Sequence, residues 1–384
     1  MRPTTVLLAA AAFTTLAAAA PAQEPVRLGE PNALAPESFS RVSGLRELPD
    51  GRVLVSDNRE RVVRLVDFQA GRMTTVGREG AGPREYASPG AIFGLPQGRS
   101  IMVDGRNQRF LYFGPDGQPT ETTPILRISG GQGVSLGLGA PGGVDTQGRL
   151  YFSLQAFGGG GAPPDSIPIL RWTPGTERVD TVGVIRNPSA GAAVTTRSGG
   201  AGASFSMQTP VVYRAQEQWG VTPEGTLIRA LPEPYRLVLQ RPGQPARAGA
   251  AVPYTPIPVT EADRQAYKQT QANAPRPQIT TTGPEGTRSF SPDLPEPTFE
   301  PTKPAFWGPG SVVVSPTGET WVLRTRPAND RVPAYDVFDA NGNRVRRVAL
   351  PPGGRLVGFG RTSLYVAVSD DDDLEELRRY PLVP

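Results

Sequence analysis

One stretch constrains the fold more than any other: Leu48 to Gly77, LPDGRVLVSDNRERVVRLVDFQAGRMTTVG. Pro49-Asp50-Gly51 is turn chemistry, with proline presetting φ and Gly51 able to take φ > 0. Arg52 to Ser56 follows as a short β-rich run, apolar enough to be buried on both faces. Asp57 to Glu60 is a polar loop. Val62 to Phe68 is a second apolar run, Ala70-Gly71 a second turn, and Met73 to Val76 a third strand. Ser43-Gly44-Leu45 supplies an inner strand ahead of them. Together these make one four-stranded antiparallel unit.

The unit returns. Leu95 to Gly98 leads into Ser100–Val103, Arg109–Phe113 and the Pro115-Asp116-Gly117 turn. Asp145 to Gly148 leads into Leu150–Leu154 and Ile167–Trp172. Thr222 to Gly225 leads into Thr226–Ala230 and Tyr235–Leu239. Ser315 to Gly318 leads into Glu319–Arg324, Ala334–Phe338 and the Asn341-Gly342 turn. A worn sixth copy holds Ser363–Val368 and Leu377–Leu382. The aligned turn glycines Gly51, Gly98, Gly148, Gly225 and Gly318 stand 47, 50, 77 and 93 residues apart, so the last two intervals carry insertions. A recurring four-stranded unit of roughly 40–50 residues is the signature of a β-propeller blade, which cannot bury its faces without neighbours. The expected fold is therefore all-β: a six-bladed β-propeller of four-stranded antiparallel blades. The sixth copy runs out of chain before its outer strand. The expectation is that an N-terminal strand near Val26–Leu28 closes that last blade and removes its open edge.

Met1 to Ala22 reads as a removable signal peptide, with Arg2, an apolar run from Val6 to Ala20, and the small residues Ala20-Pro21-Ala22. Residues 23–384 are then one propeller, and no other stretch is apolar and long enough to span a bilayer. The chain has no cysteine, which excludes disulfides, thiolate metal sites and a lipidated N-terminus. An exported chain without disulfides fits a periplasmic or secreted location. A formal charge of +4, with no basic run interleaved with aromatics, argues against nucleic acid. Three inserts interrupt the repeat. They are Gly-rich 157–164 in blade three, a Gly/Ala/Ser-rich mobile loop at 187–206, and a proline-rich insert at about 240–304. Thr260-Glu261-Ala262-Asp263 resembles a capping box and predicts a short helix over Glu261–Ala272 carrying Tyr267, with an extended 275–304 after it.

The chain also has no histidine. Imidazole-dependent Ser-His-Asp and Cys-His catalysis and histidine-bound metals are thereby excluded. No catalytic residue and no resident cofactor are expected. The acidic run Asp370–Asp373 offers carboxylates to Ca²⁺ but lacks the alternating spacing of a calcium loop, so a solvated hairpin loop is the stronger reading. Asp57-Asn58-Arg59 and Asp104-Gly105-Arg106-Asn107 fall at equivalent loops of blades one and two, on one face. With Glu217, near an inner-strand start, they are the candidate ligand rim: Asp57, Asn58, Arg59, Asp104, Arg106, Asn107 and Glu217. The competing and commoner role for each aspartate is to accept hydrogen bonds from its own loop.

Val55-Ser56-Asp57-Asn58, Arg61–Val66, the glycines of Gly77–Gly82, and Val103 to Arg109 resemble the NHL-type six-bladed propellers over about Gly44–Gly117. The resemblance implies fold and little about activity. The nearest enzymatic relatives of this architecture are the gluconolactonase-like propellers, which resemble this chain in fold and hold a divalent metal in the central channel with acids and amides near the inner-strand starts. Here only Glu217 among those positions is acidic, and one carboxylate does not replace a hydration shell. The expected function is an exported binding or scaffold module for an envelope protein, peptide or glycan, with a metal-assisted hydrolase as the alternative.

Overall fold

A computed structural model describes residues 24–382 apart from 130–134, 139–140, 158–163, 188–193, 199–203, 273–278, 284–285 and 292–294. The leader at 1–22 and most of the 157–164 insert lie outside the described residues. The described residues form a six-bladed β-propeller. Blade one is Val42–Glu47, Val53–Asp57, Val62–Asp67 and Arg72–Thr75, hydrogen-bonded in that order. Blade two is Pro89–Gly94, Ser100–Asp104, Arg109–Phe113 and Pro119–Pro124. The inner strands of blades three to six start at Gly143, Gln218, Val312 and Gly354. Each leads into the two apolar runs predicted from the sequence. All five aligned turn glycines have φ between +74° and +87°, the left-handed conformation that their shared turn requires.

Strand periodicity explains why six such units need one another. The second strand of blade one has every residue buried. Val53 and Val55 point one way, into a cluster with Tyr365, Ala367 and Leu377 of blade six. Leu54 points the other way, into a cluster with Met102, Leu111 and Phe113 of blade two. Blade two repeats this: Met102 faces blade one while Ile101 joins Leu150, Phe152 and Trp172 of blade three. Further clusters fill the seams between blades three and four, four and five, and five and six. Each middle strand thus buries both faces, and the apolar core is six layers between blades. Towards the axis space is scarce. A Cβ at Gly44 would lie 2.6 Å from Gly90 O and 2.7 Å from Ile92 N of the next blade, so a side chain there would force the inner strands apart.

An N-terminal strand does close the last blade, but it is not the expected one. Ala33–Leu34 pairs antiparallel with Glu375–Pro381 as the fourth strand of blade six. Val26–Arg27, where closure was expected, instead adds in parallel to Arg344–Ala349 as a fifth strand of blade five. The reason is geometric: the chain must leave the outer edge of blade six and reach the inner strand of blade one directly. Ala33–Leu34 does so through Phe39, which exchanges both backbone hydrogen bonds with Glu375. The seam is then locked by the buried Glu375 carboxylate. It accepts from Val42 N at 2.7 Å, from Arg41 Nη1 at 2.9 Å and from Arg355 Nη2 at 2.7 Å.

The two faces of the ring differ. One carries only the tight turns between first and second, and third and fourth, strands. The other carries the connectors between blades and the loops between second and third strands, and it bears every insert. Two inserts contain strands not expected from the sequence. Within 187–206, predicted to be a mobile loop, Val194–Ser198 pairs with Ser204–Gln208 as a hairpin. Within the stretch expected to be extended, Ile279–Gly283 pairs with Gly286–Phe290. The helix spans Glu261–Ala272 as predicted.

Two outcomes test the closure. Glu375→Ala leaves two guanidinium groups and Val42 N without their shared acceptor, and is expected to lower unfolding stability by about 3 kcal/mol in urea titrations. Deleting residues 24–39 removes five backbone hydrogen bonds, four of them to blade six, and buried Phe39; it is expected to cost about 3–6 kcal/mol and to produce concentration-dependent aggregation through the bared edge, whereas deleting 24–30 alone is expected not to cause aggregation.

Candidate functional site

The predicted rim residues divide sharply. Asp57 is fully buried; one oxygen accepts from Arg59 N and Glu60 N, the other from Arg41 N. Asp104 is also fully buried and accepts from Ala87 N, Ser88 N, Asn107 Nδ2 at 2.7 Å and Arg109 Nε at 3.2 Å. Asn107 and Arg109 then donate to carbonyls of Gly80, Ala81, Gly82 and Glu85, pinning the connector between blades one and two. Glu217 is clamped by the Arg229 guanidinium and accepts from Arg186 N at 3.1 Å. These three carboxylates are engaged in holding loops. Asn58, Arg59 and Arg106 remain exposed on the insert-bearing face. Asp370 to Asp373 form an exposed turn in which Asp370 accepts from Asp372 N and Leu374 N.

A divalent metal of the kind the gluconolactonase-like enzymes use does not fit these residues. Among the described residues no group of three or more acidic side chains is arranged to hold a metal ion. A cation would have to displace the N–H and guanidinium donors that already occupy Asp57, Asp104, Glu217 and Glu375.

The insert-bearing face has its own chemistry, centred on the 240–304 arm. Thr260 and Asp263 form the predicted capping box, with Thr260 N donating to Asp263 Oδ2 at 2.9 Å and Asp263 N to Thr260 Oγ1 at 3.4 Å. The other carboxylate oxygen pairs with Lys303 Nζ at 2.5 Å, and both side chains are only 2% exposed. Lys303 also donates to Arg326 O of blade five at 2.6 Å and lies 5.0 Å from the centroid of the Tyr213 ring. Tyr254 donates to the carbonyls of Lys303 and Pro304. Arg324 of blade five stacks between Tyr254 and Tyr235, 4.7 and 5.2 Å from their centroids. Its Nη1 and Arg347 Nε share buried Asp336 with the Tyr235 hydroxyl, and burial raises the Tyr235 pKa well above its ordinary value. Cation–π stacking and a buried ion pair thus fasten the arm to the ring.

Two clefts flank Lys303 and share it with Tyr213. One, about 550 Å³, lies between the arm and the blade-four loop, with Tyr213, Arg214, Pro234, Tyr254, Glu300 and Pro301 in its walls. The other, about 240 Å³, lies towards blade five, with Trp307, Arg326 and Asp330. Tyr213 packs against Trp307 in a tilted arrangement with ring centroids 4.9 Å apart, and its backbone sits at φ +64°. That conformation is rare for a bulky residue and costs of order 1–3 kcal/mol unless the surroundings enforce it. Burial raises the Tyr213 pKa, reinforced by Asp263. None of Tyr213, Tyr254, Trp307 or Lys303 was singled out from the sequence. One signal was present: Lys303 is one of only two lysines, with Lys268, in a chain that otherwise uses arginine.

A second cavity, about 580 Å³, is the central channel, lined from all six inner strands. Its walls are mostly apolar. Arg46 is among the residues lining it; burial lowers its pKa, with neighbouring Glu47 acting the other way.

No family model matches this chain, and no curated protein matches it in sequence. Among solved structures, a DUF4221-family member from Bacteroides vulgatus superposes with a TM-score of 0.51 at 8% identity, over 91% of this chain and 96% of that one. Regucalcin from Agrobacterium tumefaciens, a calcium-binding protein, gives 0.42 at 13% identity over 92% and 94%. Virginiamycin B lyase from Staphylococcus aureus gives 0.41 at 8% identity over 92% and 99%. The similarity to the first is one of fold. Among the described residues no helix is long and apolar enough to cross a membrane.

The arm's attachment has a pH signature. Burial pushes the Asp263 carboxyl up, but Lys303 and the Thr260 donors outweigh it and hold its pKa below the ordinary value. A depressed folded pKa contributes stability that is complete above the unfolded value and is lost as pH falls through the folded one. Hydrogen exchange over 257–272 is therefore expected to stay slow at neutral pH and accelerate below about pH 4, ahead of the blade strands. Lys303→Met is expected to give the same local acceleration at pH 7.

Proposed function

We propose that this protein is an exported binding module that captures an extended peptide segment of a protein partner in the cleft between the 240–304 arm and blades four and five. The observation that carries this reading is Tyr213. A tyrosine held in the left-handed region, packed against Trp307 and Lys303, stands where two clefts meet. Backbone strain of this kind persists where the surroundings over-determine it, and it concentrates at ligand clamps. The cleft walls supply what an extended chain needs: proline and tyrosine surfaces for side chains, and Arg214 and Glu300 as opposite charges on the rim. The leader-like N-terminus and the lack of cysteine support an envelope or extracellular setting. The NHL-like sequence pattern of the first two blades accords with a scaffold role. An aromatic platform of this kind also suits a glycan, which the same experiment distinguishes.

Random-peptide and glycan arrays probed with the purified protein test the reading. Peptides are expected to bind in preference to glycans, and Tyr213→Gly is expected to weaken them at least about tenfold. Glycine relieves the left-handed backbone, so the variant's unfolding free energy is expected to stay within about 1 kcal/mol of the parent. Peptide binding indifferent to Tyr213→Gly, or glycan binding alone, contradicts the proposal. A calcium-dependent lactonase activity indifferent to Tyr213→Gly would favour the hydrolase alternative.

A further inference from the structure

The central channel holds a feature unrelated to the arm. Arg46 is the penultimate residue of the inner strand of blade one, just before the Leu48–Gly51 turn, so it lies toward the tight-turn face, opposite the inserts. Its Nε is buried and has no hydrogen-bond partner, and its guanidinium makes no ion pair among the described residues. Nearby carboxylates are committed elsewhere. Glu47 accepts from the Tyr365 hydroxyl at 2.6 Å and from Arg361 N at 3.1 Å. Asp145, the other charged residue lining the channel, accepts from Gln147 N and Arg149 N on one oxygen. Its other oxygen takes Arg149 Nε at 2.6 Å and the Tyr151 hydroxyl at 2.9 Å.

Gly94 makes room for this cation. Its φ lies outside the left-handed region, so its backbone does not demand glycine. A Cβ there would lie 2.6 Å from Arg46 Cζ and 2.7 Å from Nε. The missing side chain is a berth for the guanidinium. Around it the channel is lined by Leu45, Phe93, Val144, Val221, Val314 and Phe359. A guanidinium with no close ion pair and an unpartnered Nε in such surroundings is costly, and a carboxylate satisfies it with two parallel charge-assisted hydrogen bonds. The volume, about 580 Å³, falls in the range of small-molecule sites.

We propose that the central channel binds a small monocarboxylate with an apolar body, its carboxylate on Arg46 and its hydrocarbon against the inner strands. Neutral polar ligands lack the charge, and organic cations are repelled. The site is separate from the arm cleft and stands or falls independently of it.

The test is calorimetric titration of the full chain with three probes of one length: octanoate, octanamide and octylamine. Octanoate is expected to bind one per chain, octanamide at least tenfold more weakly, and octylamine not at all. Arg46→Met is expected to bring octanoate down to the octanamide level, while Arg46→Lys retains part of the affinity. Arg72→Gln, exposed on the outermost strand of blade one, is expected to change nothing. Equal affinity for octanoate and octanamide, no binding of either, or undiminished octanoate binding by folded Arg46→Met would each overturn the proposal. The three-probe comparison on the unaltered chain carries the test even if Arg46→Met fails to fold.

Discussion

The whole architecture rests on strands that have no solvent face. In blade one, Val53 and Val55 belong to one interblade layer and Leu54 to the next, and the same division recurs around the ring. A sheet buried on both sides cannot stop at either side, so each blade requires two neighbours. That requirement is met without an end only when the sixth blade meets the first. Glu375 stands at that meeting, joining backbone and two arginines across the seam. With no disulfide to constrain the chain, closure falls to this seam and to the Ala33–Leu34 strand.

The ring also explains where function resides. Its carboxylates are largely structural: Asp57, Asp104, Asp145, Glu217 and Asp336 each satisfy backbone or guanidinium donors in loops that must keep their shape. Among the described residues, two places stand apart from this structural duty. One is the arm cleft, where Tyr213 tolerates an unfavourable backbone beside a buried lysine. The other is the channel, where Arg46 Nε has no hydrogen-bond partner. The first lies on the face that tolerates insertion, because connectors there are free to lengthen. The second lies at the axis, where inner strands converge and only small residues fit between them.

Much of the fold was legible because turn chemistry and strand runs are local. The turn of Pro49-Asp50-Gly51 and its relatives marks each blade, and Thr260 with Asp263 marks the helix start. Closure was legible in kind but not in place. Val26–Leu28 and Ala33–Leu34 are equally short and apolar, and the choice between them depends on how far the chain must travel to Val42. The hairpins within 194–208 and 279–290 were missed because glycine, serine and threonine leave no apolar alternation to read. The cleft was hidden for a different reason. Tyr213, Lys303 and Arg324 are far apart in sequence and meet only when the arm folds back, whereas Asp57 and Asp104 drew attention through a local pattern that serves their own loops. Arg46 reads as an ordinary strand-end arginine until its surroundings are known.

The central claim is that the six layers form one closed, cooperative unit rather than a row of independent repeats. Native-state hydrogen exchange on Leu54→Ala, which opens a cavity between blades one and two, tests it most directly. A closed ring predicts that the slowest amides of blade five, in Thr320–Leu323, lose the same free energy of protection as those of blade one. Loss confined to blades one and two, with blade five unchanged, would contradict the account.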